Sequence, residues 1–235
     1  MPVTGWIWDI IDILRRAGKL QCLTARNMHC GDGRLRLRWR PVWQWDPLMT
    51  RILADFFEQD PVSCARGLIG CHFRWHGCVG RIVETEAYDA LDDPACHTWF
   101  RPSTRAFVDR QRAGDAYVYM NYGVHWLFNI LVKGGERSGF VLFRAVEPVS
   151  GLELMRGRRQ GVTDKLLGAG PGRLTRMLGI DGTAHGTSFL GRAECGILRG
   201  ESVEACAGPR IGISRATDLP WRFGDPSSPS LSRRF

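Results

Sequence analysis

No two of the eight cysteines (Cys22, Cys30, Cys64, Cys71, Cys78, Cys96, Cys195 and Cys206) stand in Cys-x-x-Cys spacing. Zinc-finger chemistry needs closely spaced thiolate pairs, so the pattern excludes that class. The run Cys71-His72-Phe73-Arg74-Trp75-His76-Gly77-Cys78 does mix thiols with imidazoles. It reads better as a strand ending in a His76-Gly77 turn, because Cys71 and His72 would then face opposite ways. Neither a metal nor any other cofactor is expected. No apolar run approaches the ~18 residues that span a bilayer, and no secretory signal is read. A protein without a membrane partner, with free thiols in a reducing, bacterial-type cytoplasm, is therefore expected. Internal repeats are missing as well, and low complexity is confined to a Ser/Pro-rich tail at 226–232.

What remains is an ordinary globular composition. The 235 residues are 44% hydrophobic and 24% charged, enough for one substantial domain or two small ones. A net charge of +8 favours a polyanionic partner, most commonly nucleic acid. Residues 1–48 differ from the rest, holding five of the nine tryptophans and eight Lys/Arg against four acids. Ile7, Ile10, Ile11 and Leu14 lie near one face of an amphipathic helix, and 34–40 alternate Arg with Leu and Trp. One reading is a basic arm gripping phosphate. The other, preferred here, is that translation begins at Met49 and the preceding residues are an artefact of start-site choice. The chain thus divides into an extension of doubtful status at 1–48 and a single domain at 49–235.

Within that domain, 52–57 and 61–68 read as short helices. Residues 70–75 and 78–88 read as paired strands around His76-Gly77. A long polar connection at 89–114 carries one short helix near 103–109, and loops of that length are usually functional. A hairpin follows, with strands on either side of Tyr122-Gly123, then a strand at 139–148. Helices are expected near 150–160 and 171–179, and strands at 186–190 and 210–214. Hairpins dominate, so the fold class is α+β: a curved antiparallel β-sheet with a protruding β-hairpin and peripheral helices.

The most informative stretch is Arg81-Ile82-Val83-Glu84-Thr85-Glu86-Ala87-Tyr88. On a strand, Glu84, Glu86 and Tyr88 share one face, and Val83, Thr85 and Ala87 the other. An acid beside an aromatic surface suits an enzyme that stacks a flat ring and attacks a bond next to it. A surface strand with solvated acids fits this stretch equally well.

Several motifs in order remove that ambiguity: Ala65-Arg-Gly-Leu-Ile-Gly70, Gly80 through Tyr88, Asp93-Pro-Ala-Cys-His97, and Tyr117-Val-Tyr-Met-Asn-Tyr-Gly123 through Asn129. Val141-Leu-Phe-Arg-Ala-Val-Glu-Pro148, Gly168-Ala-Gly-Pro-Gly172 and Arg210-Ile-Gly-Ile213 complete the series. From about Met49 to Ser232 the chain resembles the alkyladenine (3-methyladenine) DNA glycosylases, the class not built on a helix-hairpin-helix. The resemblance implies a monofunctional enzyme that flips a damaged purine out of duplex DNA and hydrolyses its N-glycosidic bond. In it, Glu86 corresponds to the general base that activates a water, Arg144 to the residue that positions acid and water, and the Ile211 carbonyl to a further water contact. Tyr88 and His97 would form one side of a slot for the base and Tyr119 the other, with Asn129 at the base edge. Tyr122 would wedge into the gap left in the duplex. Arg101 and Arg105, among the arginines after His97, and Gly170 and Gly172, opening a helix, would meet phosphates. No Gly-Lys-Ser/Thr follows those glycines, which excludes a nucleotide P-loop. The partner implied is double-stranded DNA carrying alkylated, and also deaminated, purines, bound by a monomer. Glu86 is expected to wait, ionised, beneath a slot wide enough for an everted purine.

Some positions depart from the pattern. Trp99 and Phe100 are bulkier than usual there and are expected to narrow the pocket. Gly224-Asp225-Pro226 stands where a hydrophobic strand is expected, and Ser230 where an aromatic is common. Two rival readings remain: a damage-recognition or architectural DNA-binding protein without chemistry, and an enzyme of other nucleosides or RNA.

Overall fold

Runs rich in β-branched and aromatic residues become the long strands of the sheet. The computed structural model describes residues 50–235, so the readings made of 1–48 and of a start at Met49 lie outside the described residues. The chain enters through β1 (Arg51–Ile52), a 3-10 turn (Ala54–Phe57) and α1 (Pro61–Gly67). The hairpin β2 (His72–Trp75) and β3 (Cys78–Asp89) follows, then α2 (His97–Phe100) and α3 (Pro102–Arg110). Next come β4 (Ala116–Asn121), β5 (His125–Gly134) and β6 (Arg137–Ser150). Three helices, α4 (Leu152–Arg158), α5 (Asp164–Leu167) and α6 (Pro171–Leu178), precede the short strands β7 (Cys195–Leu198), β8 (Cys206–Gly208) and β9 (Arg222–Gly224).

All nine strands join one open antiparallel sheet in the order β1-β7-β2-β3-β6-β5-β4, with β9 and then β8 branching from β3. The strand β3 is the axis of this arrangement. One of its edges carries β6, while the other is shared by β2 at 78–81 and β9 at 84–86. Register then assigns residues to faces. Tyr117, Asn129, Leu142 and Glu86 are successive cross-strand partners, and Leu131 pairs Phe140, which pairs Tyr88. These residues line one face. The intervening residues Val118, Phe128, Ile130, Val141, Phe143 and Ala87 line the other and are part of the main core.

Helices α1 and α6 cover that core face, contributing Cys64, Ala65, Leu174, Met177 and Leu178. At the entry to α1, Asp60 accepts N–H bonds from Val62 and Ser63 ahead of a proline at the first helical turn. At the centre of the core Phe73 meets Phe128 and Phe143 at ring-centroid distances of 5.1 Å each, and Trp75 at 5.8 Å. The other face carries a smaller apolar cluster of Cys96, Phe107, Tyr117, Leu131 and Phe140, against which Tyr88 and Tyr119 pack.

Several expectations from the sequence are corrected. The helical reading of 52–57 holds as a four-residue 3-10 helix at Ala54–Phe57, preceded by a two-residue strand, and the connection at 89–114 holds two helices rather than one. Neither 186–190 nor 210–214 is a strand. The first exchanges backbone bonds with Ala116 only through Gly186 and Thr187, after which Phe189 turns into the core. The second is broken by Gly212, whose φ of +78° leaves extended geometry. The strands that do form there, β7 to β9, are at most four residues long. Among the described residues no helix is long and apolar enough to cross a membrane, and no cluster of three metal-ligating side chains occurs.

Replacing Phe73 with Ala deletes the hub of the aromatic core. The expected loss is about 3–5 kcal/mol of unfolding free energy, read from urea denaturation monitored by tryptophan fluorescence.

Candidate active site

The site begins with two compensating irregularities between β3 and β6. Ile82 pairs Val146 but Glu84 pairs Ala145, which leaves Val83 as an extra residue on β3. Thr85 then pairs Phe143, which leaves Arg144 extra on β6. Such bulges re-aim side chains. Here the pair turns the Arg144 guanidinium toward both acids of β3. Its Nε donates to Glu84 Oε1 at 3.1 Å, and its Nη1 lies 3.2 Å from Glu86 Oε1. Both carboxylates are fully buried, and Arg144 nearly so.

Glu86 has two further partners. The backbone N–H of Ile211 donates to Oε1 and the Tyr88 hydroxyl to Oε2, each at 2.7 Å. Ile211 thus meets the acid through its backbone N–H. Burial raises the Glu86 pKa, opposed by Arg144, Ile211 and Tyr88 and assisted by the charge of Glu84. A carboxylate with a raised pKa is a better proton acceptor than an exposed one.

The aromatic side chains converge near this acid. His97 and Tyr119 touch directly, with ring centroids 4.3 Å apart and planes inclined at 62°. A purine held between two rings needs roughly 7 Å, twice the ~3.5 Å contact distance. A base therefore has no room between His97 and Tyr119 as they stand. His97 Nδ1 hydrogen-bonds the Tyr117 hydroxyl at 2.9 Å, and that hydroxyl meets Thr104 Oγ1 at 2.9 Å. Burial, aided by the charge of Arg101, lowers the His97 pKa to about 4, so the imidazole is neutral at pH 7. Asn129 is buried beneath the rings, with its amide nitrogen donating to the Tyr117 carbonyl at 3.1 Å.

Two guanidiniums back the rings. Arg210 sits 4.7 Å from the centre of Tyr88, held by Asp93 and by the Ala87 carbonyl at 3.0 Å. Arg101 lies 5.7 Å from the centre of Tyr119 and at the same distance from Phe100. Among the residues proposed for phosphate, Arg101 is thus drawn to rings, while Arg105 donates to the Thr98 carbonyl at 2.5 Å. Trp99 and Phe100 are 52% and 53% exposed, and the Phe100 ring packs edge-on against His97 at a centroid distance of 5.5 Å.

Tyr122 caps the β4–β5 hairpin at 89% exposure. It and Gly123 both have positive φ, +50° and +69°, the combination that lets a tight turn follow strand twist. A bulky residue in that region is uncommon and is a reason to look for function. Gly172 in the first turn of α6 lies against the His125 ring, only 2.7 Å from where a Cβ would stand. The helix start and the hairpin are thereby neighbours, whereas Glu86 lies deeper, on β3. Sequence reasoning missed Tyr117, Arg210, Arg222 and Ser232. The first was hidden among hairpin residues, and the others come from irregular or short segments that carry no periodic signal.

Comparisons with known proteins agree with this geometry. The profile of the family described as Methylpurine-DNA glycosylase (MPG) matches residues 55–229. A protein of Nitrosospira multiformis, named "Putative 3-methyladenine DNA glycosylase", is 44% identical over 179 residues, covering 76% of this chain and 92% of its own. Proteins bearing the same name in Agrobacterium fabrum and Chlorobaculum tepidum are 41% and 40% identical, each matched over 92% of its length and over 77% and 79% of this chain. The chain belongs to the methylpurine-DNA glycosylase family, hydrolases of N-glycosyl bonds in DNA.

Proposed function

We propose that the protein removes alkylated, and also deaminated, purines from duplex DNA by flipping the nucleotide and hydrolysing the bond between C1′ and the base. The observation that carries this reading is the Glu86 carboxylate, buried and paired to Arg144, at the foot of Tyr88, His97 and Tyr119. Tyr122 enters the duplex from the minor groove and fills the vacated stack. The flipped base parts His97 from Tyr119 and exchanges their mutual contact for contact with itself. Stacking on aromatic rings is worth about 1–3 kcal/mol per base, comparable with the few kcal/mol that unstacking costs.

A water beside Glu86 then gives its proton to the carboxylate and its oxygen to C1′ as the bond from C1′ to the base nitrogen breaks. The electron pair of that bond leaves with the base. Negative charge on Glu86 stabilises the cationic sugar that develops in between, and Arg144 holds the acid in line. No lysine nucleophile takes part, so the product is an abasic site in an uncut strand. Neutral His97 adds no positive charge of its own to repel a cationic base.

Replacing Glu86 with Gln should slow base release about 10²- to 10⁴-fold and leave affinity for duplex containing a stable abasic analogue intact. A DNA-binding protein without chemistry would release no base before or after the change, and release at an unchanged rate would remove Glu86 from the role. Protonation abolishes the base, so the rate should fall as pH drops through the raised Glu86 pKa, with a midpoint above the ordinary glutamate value of about 4.3. His97 should add no inflection near pH 6.5, because burial keeps it neutral down to about 4. Tyr122→Ala should weaken excision from duplex by roughly 5- to 150-fold, the equivalent of one lost stacking contact, and barely affect excision from single strands. An enzyme of free nucleosides would not respond to that change.

A further inference from the structure

Glu84 is the second acid of β3, and the hydrolysis above leaves it without a role. It is the more heavily engaged of the two. Its Oε1 accepts from Arg144 Nε at 3.1 Å, Arg222 Nη1 at 3.2 Å and Ser232 Oγ at 2.8 Å, while Oε2 accepts the Ser232 N–H at 2.6 Å. Four donors, two of them cationic, hold the carboxylate, three on Oε1 and one on Oε2, and the group is fully buried. Ser232 also reaches Arg144 directly, its Oγ accepting from Nη2 at 3.2 Å.

The Arg144 fork is accordingly divided three ways, with Nε on Glu84, Nη1 on Glu86 and Nη2 on Ser232. An arginine beside a carboxylate ordinarily closes on it with two parallel bonds of about 2.7–2.9 Å. Arg144 instead offers Glu86 one nitrogen at 3.2 Å. The geometry points to Glu84 and Ser232 as positioning residues: they hold Arg144 back from closing on Glu86, so that Glu86 keeps a lone pair for water. The inference rests on the reading of Glu86 as the base.

The segment that supplies Ser232 is itself fixed. Arg222 donates to the carbonyls of Arg233 and Arg234 at 3.2 and 3.1 Å, and its guanidinium lies 3.9 Å from the centre of the Phe235 ring. A stretch of chain far from the slot in sequence thus sets how strongly Arg144 quenches the base. Without the Glu84 charge, Arg144 is free to swing onto Glu86 as a bidentate pair. That movement stabilises ionised Glu86, lowers its basicity and covers the oxygen that water needs.

The test measures single-turnover base release against pH for Glu84→Gln and Ser232→Ala, alongside thermal unfolding and affinity for an abasic-analogue duplex. The expected result for Glu84→Gln is a plateau rate about tenfold or more lower and an acidic midpoint moved to lower pH by on the order of one unit, with affinity unchanged. Because Glu84→Gln strips two buried guanidiniums of their counter-charge, it carries a folding risk. Ser232→Ala keeps the backbone bond to Glu84 and should move rate and midpoint in the same directions by less, so it decides the matter if the first variant does not fold. A midpoint that stays put or rises overturns the proposal, even when the rate falls with the folded fraction. Should Glu86→Gln retain normal activity, the reading of the base fails instead; a dead Glu86→Gln beside a normal Glu84→Gln sinks this inference alone.

Discussion

A buried carboxylate survives only when opposite charge and hydrogen bonds replace the water it has lost. β3 buries two such groups two residues apart, and most of the site's architecture follows from meeting that demand. Arg144 alone cannot satisfy both acids with its full fork. Tyr88 on the same strand supplies one more bond, and Arg222, Ser232 and the N–H of Ile211 the others, each from a different segment beyond residue 205. The paired bulges at Val83 and Arg144 are the device that brings the first cation into place without ending the sheet. The acids thus add to the backbone pairing and the buried Phe223 that already tie β9 to the sheet.

Apolar packing sets the other half of the arrangement. The same three strands β4, β5 and β6 present large side chains on both faces, so the sheet is rigid where the slot is built. All four tyrosines of the chain (Tyr88, Tyr117, Tyr119 and Tyr122) lie at this site. Two of them, Tyr117 and Tyr119, pack against each other and against His97. The ligand must therefore compete with contacts that already exist. Its net gain is a difference between two aromatic packings, which makes shape more decisive than stacking strength alone.

The parts of the site legible in the sequence were the local ones. Alternation along one strand put Glu86 and Tyr88 on a common face, and the hairpin pattern around Tyr122-Gly123 placed Tyr119 and Asn129, because both rules involve neighbours only. Ordered motifs tied Arg144 and His97 to them. What could not be read was set by tertiary pairing. Ser232 and Arg222 find Glu84 across some hundred and forty positions of chain. Cys195-Gly-Ile-Leu198 has no alternation to mark it as a strand, and it becomes one because β1 and β2 flank it. The direct contact between His97 and Tyr119 was equally invisible, since motif matching names residues and not the contacts they make.

Gly224 shows how such long-range fitting constrains change. A Cβ added there would stand 2.4 Å from the Phe235 ring, and Val83 closes the space from the other side. The cavity beside β9 that a side chain at 224 would fill from within the strand is filled by an aromatic borrowed from further along the chain. The two positions behave as a single lock with two alternative keys. A side chain at 224 would require the Phe235 ring to give way, and the Val83 carbonyl, 3.1 Å from the added Cβ, would still limit its size.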